Sequence, residues 1–277
     1  MQEEGGRRMT TSEMNLPASL HYVSFPSLHD TPLTIAARMR VPQHEGKLPA
    51  VVLLHGSAGP SAREGGYADM LNMAGFATLE PDQWAARGIV GGAEGPPKSV
   101  TETLPDLYGA RAFLAKHPKI DADRIGVSGF SFGGVAAMLA ACHAHNDKFL
   151  PGGAFRAIMP TYPSTWLFNR VPGFEFGDLV DAPVMLVTGA LDQYDNDAQV
   201  SAKLVEGLRP ADRKKVCIEV MADAHHGFDM PGVDVEVSDP FGNQGKGGRV
   251  IMRHNPEATA KSHLLAAAFF SSTMRPR

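Results

Sequence analysis

RIGVSGFSFGG, residues 124–134, is the stretch whose reading decides the fold. Residues 124–129 form an apolar run of strand type, and the Ala-rich segment 133–143 has the spacing of a helix. Between them lies Gly129-Phe130-Ser131-Phe132-Gly133. A serine at so sharp a strand-to-helix reversal adopts strained backbone angles, and side chains two positions to either side would collide, so glycine is required there. The reversal aims Ser131 at the N-terminus of the following helix, where free N–H groups and the helix dipole favour negative charge. An ordinary glycine-rich turn is the competing account, and the flanking strand and helix weigh against it. Ser128 has no such bracket and reads as a strand residue.

Outward from this turn the chain alternates. LPAVVLLH, residues 48–55, is a continuous apolar run of the kind buried on both faces of a sheet. Further strands are expected at 21–28, 33–41, 76–81, 155–160, 182–189 and 216–221, and helices at 67–74, 103–116, 198–208 and 257–271. Strands alternating with helices imply crossover connections, hence an α/β fold with a mostly parallel sheet covered by helices on both faces. Long loops are expected at 161–181 and 229–253, lengths that in a compact domain are often functional. Residues 1–16 read as a loose polar tail and 17–277 as a single domain.

The 277 residues are 43% hydrophobic and 20% charged, enough for a sizeable core and unlike a disordered chain. A net charge of −4 gives no basic excess for nucleic acid or an anionic membrane. No apolar run reaches membrane-spanning length, and no signal-peptide pattern opens the chain, so a cytoplasmic protein is expected. Cys142 and Cys217 lie in apolar stretches and read as two buried, reduced thiols.

A serine hydroxyl needs a base, and the base an orienting acid. On this fold they follow in the chain order Ser, acid, His. For the acid, the strand at 182–189 ends in Gly189-Ala190-Leu191-Asp192, at the ligand-binding edge of a parallel sheet. Asp195 and Asp197 read as solvated loop or helix N-terminal residues. For the base, the strand at 216–221 leads into Ala224-His225-His226-Gly227-Phe228, where the glycine lets the loop turn after His226. His225 is the competing histidine, with an orienting or solvated role. The oxyanion hole needs two backbone donors: Phe132 N–H, and one from the loop His55-Gly56-Ser57-Ala58-Gly59, with Ser57 first and Ala58 next. His55 reads as positioning that loop. The expected triad is Ser131, Asp192 and His226 on an α/β-hydrolase fold. Of the aromatic residues near these segments, Trp84, Tyr162 and Trp166 are the substrate-contact candidates, with core packing the alternative for each.

VVLLHGSAG, GFATLEPD with RG shortly after, RIGVSGFSFGG, VTGALD and AHHGF occur in an order that resembles the dienelactone hydrolase family. The resemblance runs over about residues 48–270. It implies a compact eight-stranded sheet without a separate lid domain, and hydrolysis of a small-molecule ester, lactone or related acyl compound with no metal or organic cofactor. It also implies His226 as the catalytic histidine, since Gly-Phe follows it. Arg87 lies where relatives have an arginine near the substrate; pairing with a substrate carboxylate and holding its own loop fit equally. The founding members use cysteine as nucleophile, whereas this chain has Ser131. A homodimer is compatible with the sequence. The rival functions are an acyltransferase or peptidase on the same fold, a non-catalytic binding module, and a metal site at His225 and His226 with Asp223 and Asp229, for which no second ligand cluster appears.

Overall fold

The computed structural model describes residues 18–89, 97 and 99–274. The expected tail at 1–16, and most of the glycine- and proline-rich loop at 88–98, lie outside the described residues.

Eight strands form one sheet: β1 (Ser19–Pro26), β2 (Thr34–Val41), β3 (Leu48–Leu54), β4 (Ala77–Asp82), β5 (Ile120–Phe130), β6 (Ile158–Thr161), β7 (Val184–Gly189) and β8 (Val216–Met221), in the spatial order β1-β2-β4-β3-β5-β6-β7-β8. The β1–β2 and β2–β4 pairs are antiparallel, and every pair from β4–β3 to β7–β8 is parallel. The central strands are almost fully buried, as helices on both faces require. One face holds a core around Leu54, Val127, Met138 and Ile158, closed by α2 (Leu104–Lys116) and α3 (Phe132–Ala140). The other packs Val51, Leu53 and Met159 beneath α1 (Ala62–Met73) and α8 (Pro256–Thr273). Among the described residues, no helix is long and apolar enough to cross a membrane.

Register sets the position of the site. Leu54 pairs with Gly129, Phe130 with Thr161, Thr161 with Val187, and Gly189 with Met221. The C-terminal ends of β3, β5, β6, β7 and β8 therefore line up, and the loops leaving them converge on one edge, the ligand-binding edge of parallel sheets.

Three expectations are corrected. The helix expected at 67–74 begins at Ala62, because Ser61 and Glu64 form a reciprocal capping box that offsets the weak propensity of Gly65 and Gly66. The loop at 229–253 contains an antiparallel hairpin, β9 (Asp234–Ser238) and β10 (Arg249–Arg253), around a short helix, α7 (Gly242–Gly245). Its strands are only five residues each, DVEVS and RVIMR, and the first alternates polar and apolar residues. Cys217 is exposed rather than buried, because β8 is the outermost strand and its side chains are less covered; Cys142 is buried, and both thiols are free. Two further helices were not expected: α4 (His143–Phe149), a seven-residue polar segment, and α6 (Pro210–Arg213), while α5 (Gln199–Glu206) falls inside the expected 198–208.

Candidate active site

Ser131 sits between β5 and α3 with φ 52° and ψ −113°, a strained conformation for a residue with a side chain. Its N–H donates to Thr161 O at 3.0 Å, tying the turn to the end of β6. The glycine bracket is sterically enforced. A Cβ at 129 would lie 2.1 Å from Gly133 O, and one at 133 would lie 2.5 Å from Leu54 O and 2.6 Å from His55 O.

The loops after β7 and β8 bring the next two groups to this serine. His226 Nε2 is 2.9 Å from Ser131 Oγ, and His226 Nδ1 is 2.8 Å from Asp192 Oδ2. A carboxylate only accepts, so Nδ1 carries the proton and Nε2 is left to accept from the serine hydroxyl. Asp192 Oδ1 accepts from Tyr194 N–H at 2.8 Å, which fixes the carboxylate plane. Asp192 and His226 are buried, while Ser131 and Phe132 are half-buried. The imidazole lies against two tyrosines, Tyr194 at 4.3 Å and Tyr162 at 4.7 Å between ring centroids. Gly227 takes φ +65°, turning the chain after His226. His225 is half-buried beside it and bonds to neither Ser131 nor Asp192.

The His55–Gly59 loop crosses close to Ser131, since a Cβ on Gly56 would lie 3.6 Å from Ser131 Cβ. Gly59 N–H closes a turn onto Gly56 O at 3.0 Å, which leaves the N–H groups of Ser57 and Ala58 unused by that turn. Phe132 N–H opens α3 and has no partner within the helix. His55 holds the loop from below: Nδ1 donates to Gly56 O at 2.8 Å and Nε2 accepts from Gln83 N–H at 3.1 Å. Burial pushes the His55 pKa down, consistent with a neutral ring that donates and accepts at once.

The substrate-contact candidates fare differently. Trp84 is buried; its indole N–H donates to Ser57 O at 3.0 Å, and its ring packs edge-on against His55 and Phe132. It braces the His55–Gly59 loop from beneath. Arg87 is turned away from the site. Nη1 donates to Asp106 Oδ2 at 2.7 Å and Gln83 O at 2.8 Å, and Nη2 to Glu102 O at 3.0 Å, so of its two expected roles the geometry fits the loop-holding one. Tyr162 is buried, with its hydroxyl directed to Asp229 and Arg63 rather than into open space. Trp166 is half-buried against Gly245 of α7.

Asp195 overturns the expectation of a solvated residue. It is 4% exposed, and its carboxylate accepts from Trp166 N–H at 2.8 Å and Thr165 N–H at 3.1 Å. Asp197 is partly exposed, bonds Gln199 N–H and pairs with Lys203 at the start of α5, as expected. Sequence reasoning missed Tyr194 and Arg63, and considered Asp229 only as a member of the rival metal site. The Tyr194 hydroxyl reaches Asp239 of the hairpin at 2.6 Å, so the acid loop and hairpin brace each other. No local pattern marks these residues; only their spatial neighbours do. Among the described residues, no group of three or more His, Cys, Asp or Glu side chains is arranged to hold a metal ion.

Residues 35–274 match the dienelactone hydrolase family. No curated protein matches the chain. Among solved structures, it is similar to a dienelactone hydrolase from Anabaena variabilis ATCC 29413, with a TM-score of 0.61 and 19% identity over 94% of this chain and 100% of that one. A dienelactone hydrolase-like promiscuous phosphotriesterase from metagenomic libraries superposes with a TM-score of 0.59 and 19% identity, over 94% and 100%. The Pyrococcus furiosus esterase Pf2001 superposes with a TM-score of 0.61 and 15% identity, over 97% of each chain. At these identities the likeness is one of fold, and that fold is the α/β hydrolase. On the family match, which spans most of its length, the chain belongs to the dienelactone hydrolase family.

Proposed function

We propose that this member is a serine hydrolase that cleaves a carboxylic ester, lactone or related acyl bond of a small molecule through an acyl-enzyme. The observation that carries this reading is the unbroken hydrogen-bonded chain from Ser131 Oγ through His226 to Asp192, set on a strained turn beside free backbone donors. Ser131 Oγ attacks the carbonyl carbon while His226 Nε2 takes its proton. Asp192 holds the imidazole tautomer and stabilises the imidazolium. The N–H groups of Phe132 and of Ser57 or Ala58 stabilise the oxyanion, each lowering the barrier by on the order of 3 kcal/mol. The imidazolium then returns the proton to the departing alcohol. Water attacks the acyl-enzyme with His226 again as base. Each step uses the chain's own groups and water. Trp166 and Phe132, both half-buried, are the proposed apolar contacts for the acyl group.

The test is hydrolysis of a short p-nitrophenyl ester by Ser131→Ala. Turnover should vanish while the thermal unfolding midpoint stays close to wild type. A variant that keeps the wild-type rate would rule the mechanism out.

A further inference from the structure

Beneath the triad lies a fully buried polar cluster that the mechanism above does not use. Arg63, in the first turn of α1, donates from Nε and Nη2 to Glu64 Oε1 at 2.9 and 2.7 Å, and from Nη1 to the Tyr162 hydroxyl at 3.2 Å. Its guanidinium covers the Phe130 ring at 4.6 Å. The Tyr162 hydroxyl bonds Asp229 Oδ1, and the Tyr67 hydroxyl bonds Asp229 Oδ2 at 2.7 Å and Ser262 Oγ at 2.6 Å. The polarity of this chain follows from its members. Arg63 can only donate, so the Tyr162 oxygen accepts from it and sends its own proton to Asp229. Tyr67 likewise spends its proton on Asp229, so Ser262 donates to Tyr67. Burial pushes both phenol pKa values well up, which keeps them protonated as donors.

Glu64 caps the N-terminus of α1, but its buried pair with Arg63 adds little net stability. Buried ion pairs are on average weak contributors, because desolvation offsets their attraction. A cation in the first turn of a helix also faces the positive end of the helix dipole. What the cluster accomplishes is registration of three segments distant in sequence. Arg63 Nη2 lies 3.3 Å from the position a Cβ on Gly56 would take, so it backs the oxyanion loop. Tyr162, held at a strained φ of 38°, sets its ring against the His226 imidazole. Asp229 sits three residues beyond His226 and anchors that loop.

We propose that Arg63, Tyr162 and Asp229 are positioning residues for hydrolysis, their hydrogen-bonded chain locking the oxyanion loop and the His226 ring into mutual register. The proposal rests on the serine-hydrolase reading. It is tested by steady-state hydrolysis of a short p-nitrophenyl ester by the full chain as wild type, Tyr162→Phe, Arg63→Met and Arg63→Lys, well below the lowest unfolding midpoint of the set. Tyr162→Phe keeps the ring beside His226 and removes only the hydroxyl. Its kcat should fall about 10- to 100-fold, the scale of a misplaced catalytic group, with KM within about 2-fold. The rate of fluorophosphonate labelling should fall by the same factor. Arg63→Lys, which keeps a cation, should exceed Arg63→Met in kcat by about 5-fold. A folded Tyr162→Phe with near-wild-type kcat and labelling rate, altered only in its unfolding midpoint, overturns the proposal and leaves the hydrolase reading standing. A wild-type chain without ester turnover overturns both. If Arg63→Met does not fold, Tyr162→Phe decides the matter alone.

Discussion

Gly129→Ala perturbs the Ser131 turn with the smallest possible change. The added methyl would stand 2.1 Å from the carbonyl oxygen of Gly133 and 2.4 Å from its carbonyl carbon. Ordinary contact begins at 3.4 Å, so the end of β5 and the start of α3 must separate by about 1.3 Å, the difference between 2.1 and 3.4 Å. Neither side yields easily. Gly129 is paired with Leu54 of β3 and Pro160 of β6, and Gly133 lies in the first turn of the buried helix α3. The displacement falls on Ser131, midway between them, whose hydroxyl lies only 2.9 Å from His226 Nε2. A shift of that size breaks the hydrogen bond and moves the oxygen off the attack line, costing about 100-fold in kcat. Overpacking costs about 1–3 kcal/mol, lowering the unfolding midpoint by on the order of 5 °C. Initial rates with p-nitrophenyl acetate and a thermal melt on the same preparation measure both. A folded Gly129→Ala chain with kcat within about 3-fold of wild type would refute the steric argument.

Three other substitutions separate the supporting roles. Trp84→Phe keeps the ring packing against His55 and Phe132 but loses the donor to Ser57 O; it should cost about 1 kcal/mol of stability and about 10-fold in kcat, read by the same assay, because the oxyanion loop loses its brace. Arg87→Met strips the buried Asp106 of its cation and should destabilise by about 3 kcal/mol in urea unfolding, while KM for a neutral and for a carboxylate-bearing ester should each change by less than about 2-fold. Burial, and then the Asp192 charge, raises the Asp195 pKa to about 6. The folded chain therefore holds this proton more tightly than the unfolded one, so its contribution to stability is full below about pH 4 and is lost as pH rises through about 6. Asp195→Asn should flatten that segment of the melting-point profile, and an unchanged slope between pH 4 and 6 would count against the assignment.

Some parts of the molecule can be read locally and others cannot. β8 falls at the expected boundaries, and β3 ends one residue short of them. The turn at Ser131 is legible because its glycines answer a steric demand within four residues. The acid and base candidates are legible because loops after parallel strands lead to one edge. The first turn of α1 was hidden by Gly65 and Gly66, although the Ser61–Glu64 spacing carries its capping signal. Asp195 looked solvated because Gln193, Asn196 and Asp197 surround it in sequence, yet its partners are the N–H groups of residues 165 and 166. The ion pair that holds Arg87 joins it to Asp106, 19 positions away, and the partner of Tyr162 is Asp229, 67 positions away. Local patterns record backbone demands; they do not record which buried charges meet across the fold.

The central claim is that His226 and the surrounding backbone activate Ser131. Intact-mass analysis after reaction with a fluorophosphonate, followed by peptide mapping, tests it most directly. The account predicts one adduct per chain, on Ser131, abolished in Ser131→Ala and slowed at least about 100-fold in His226→Ala. Active, esterolytic protein that takes up no adduct, or takes it up on another residue, would contradict it.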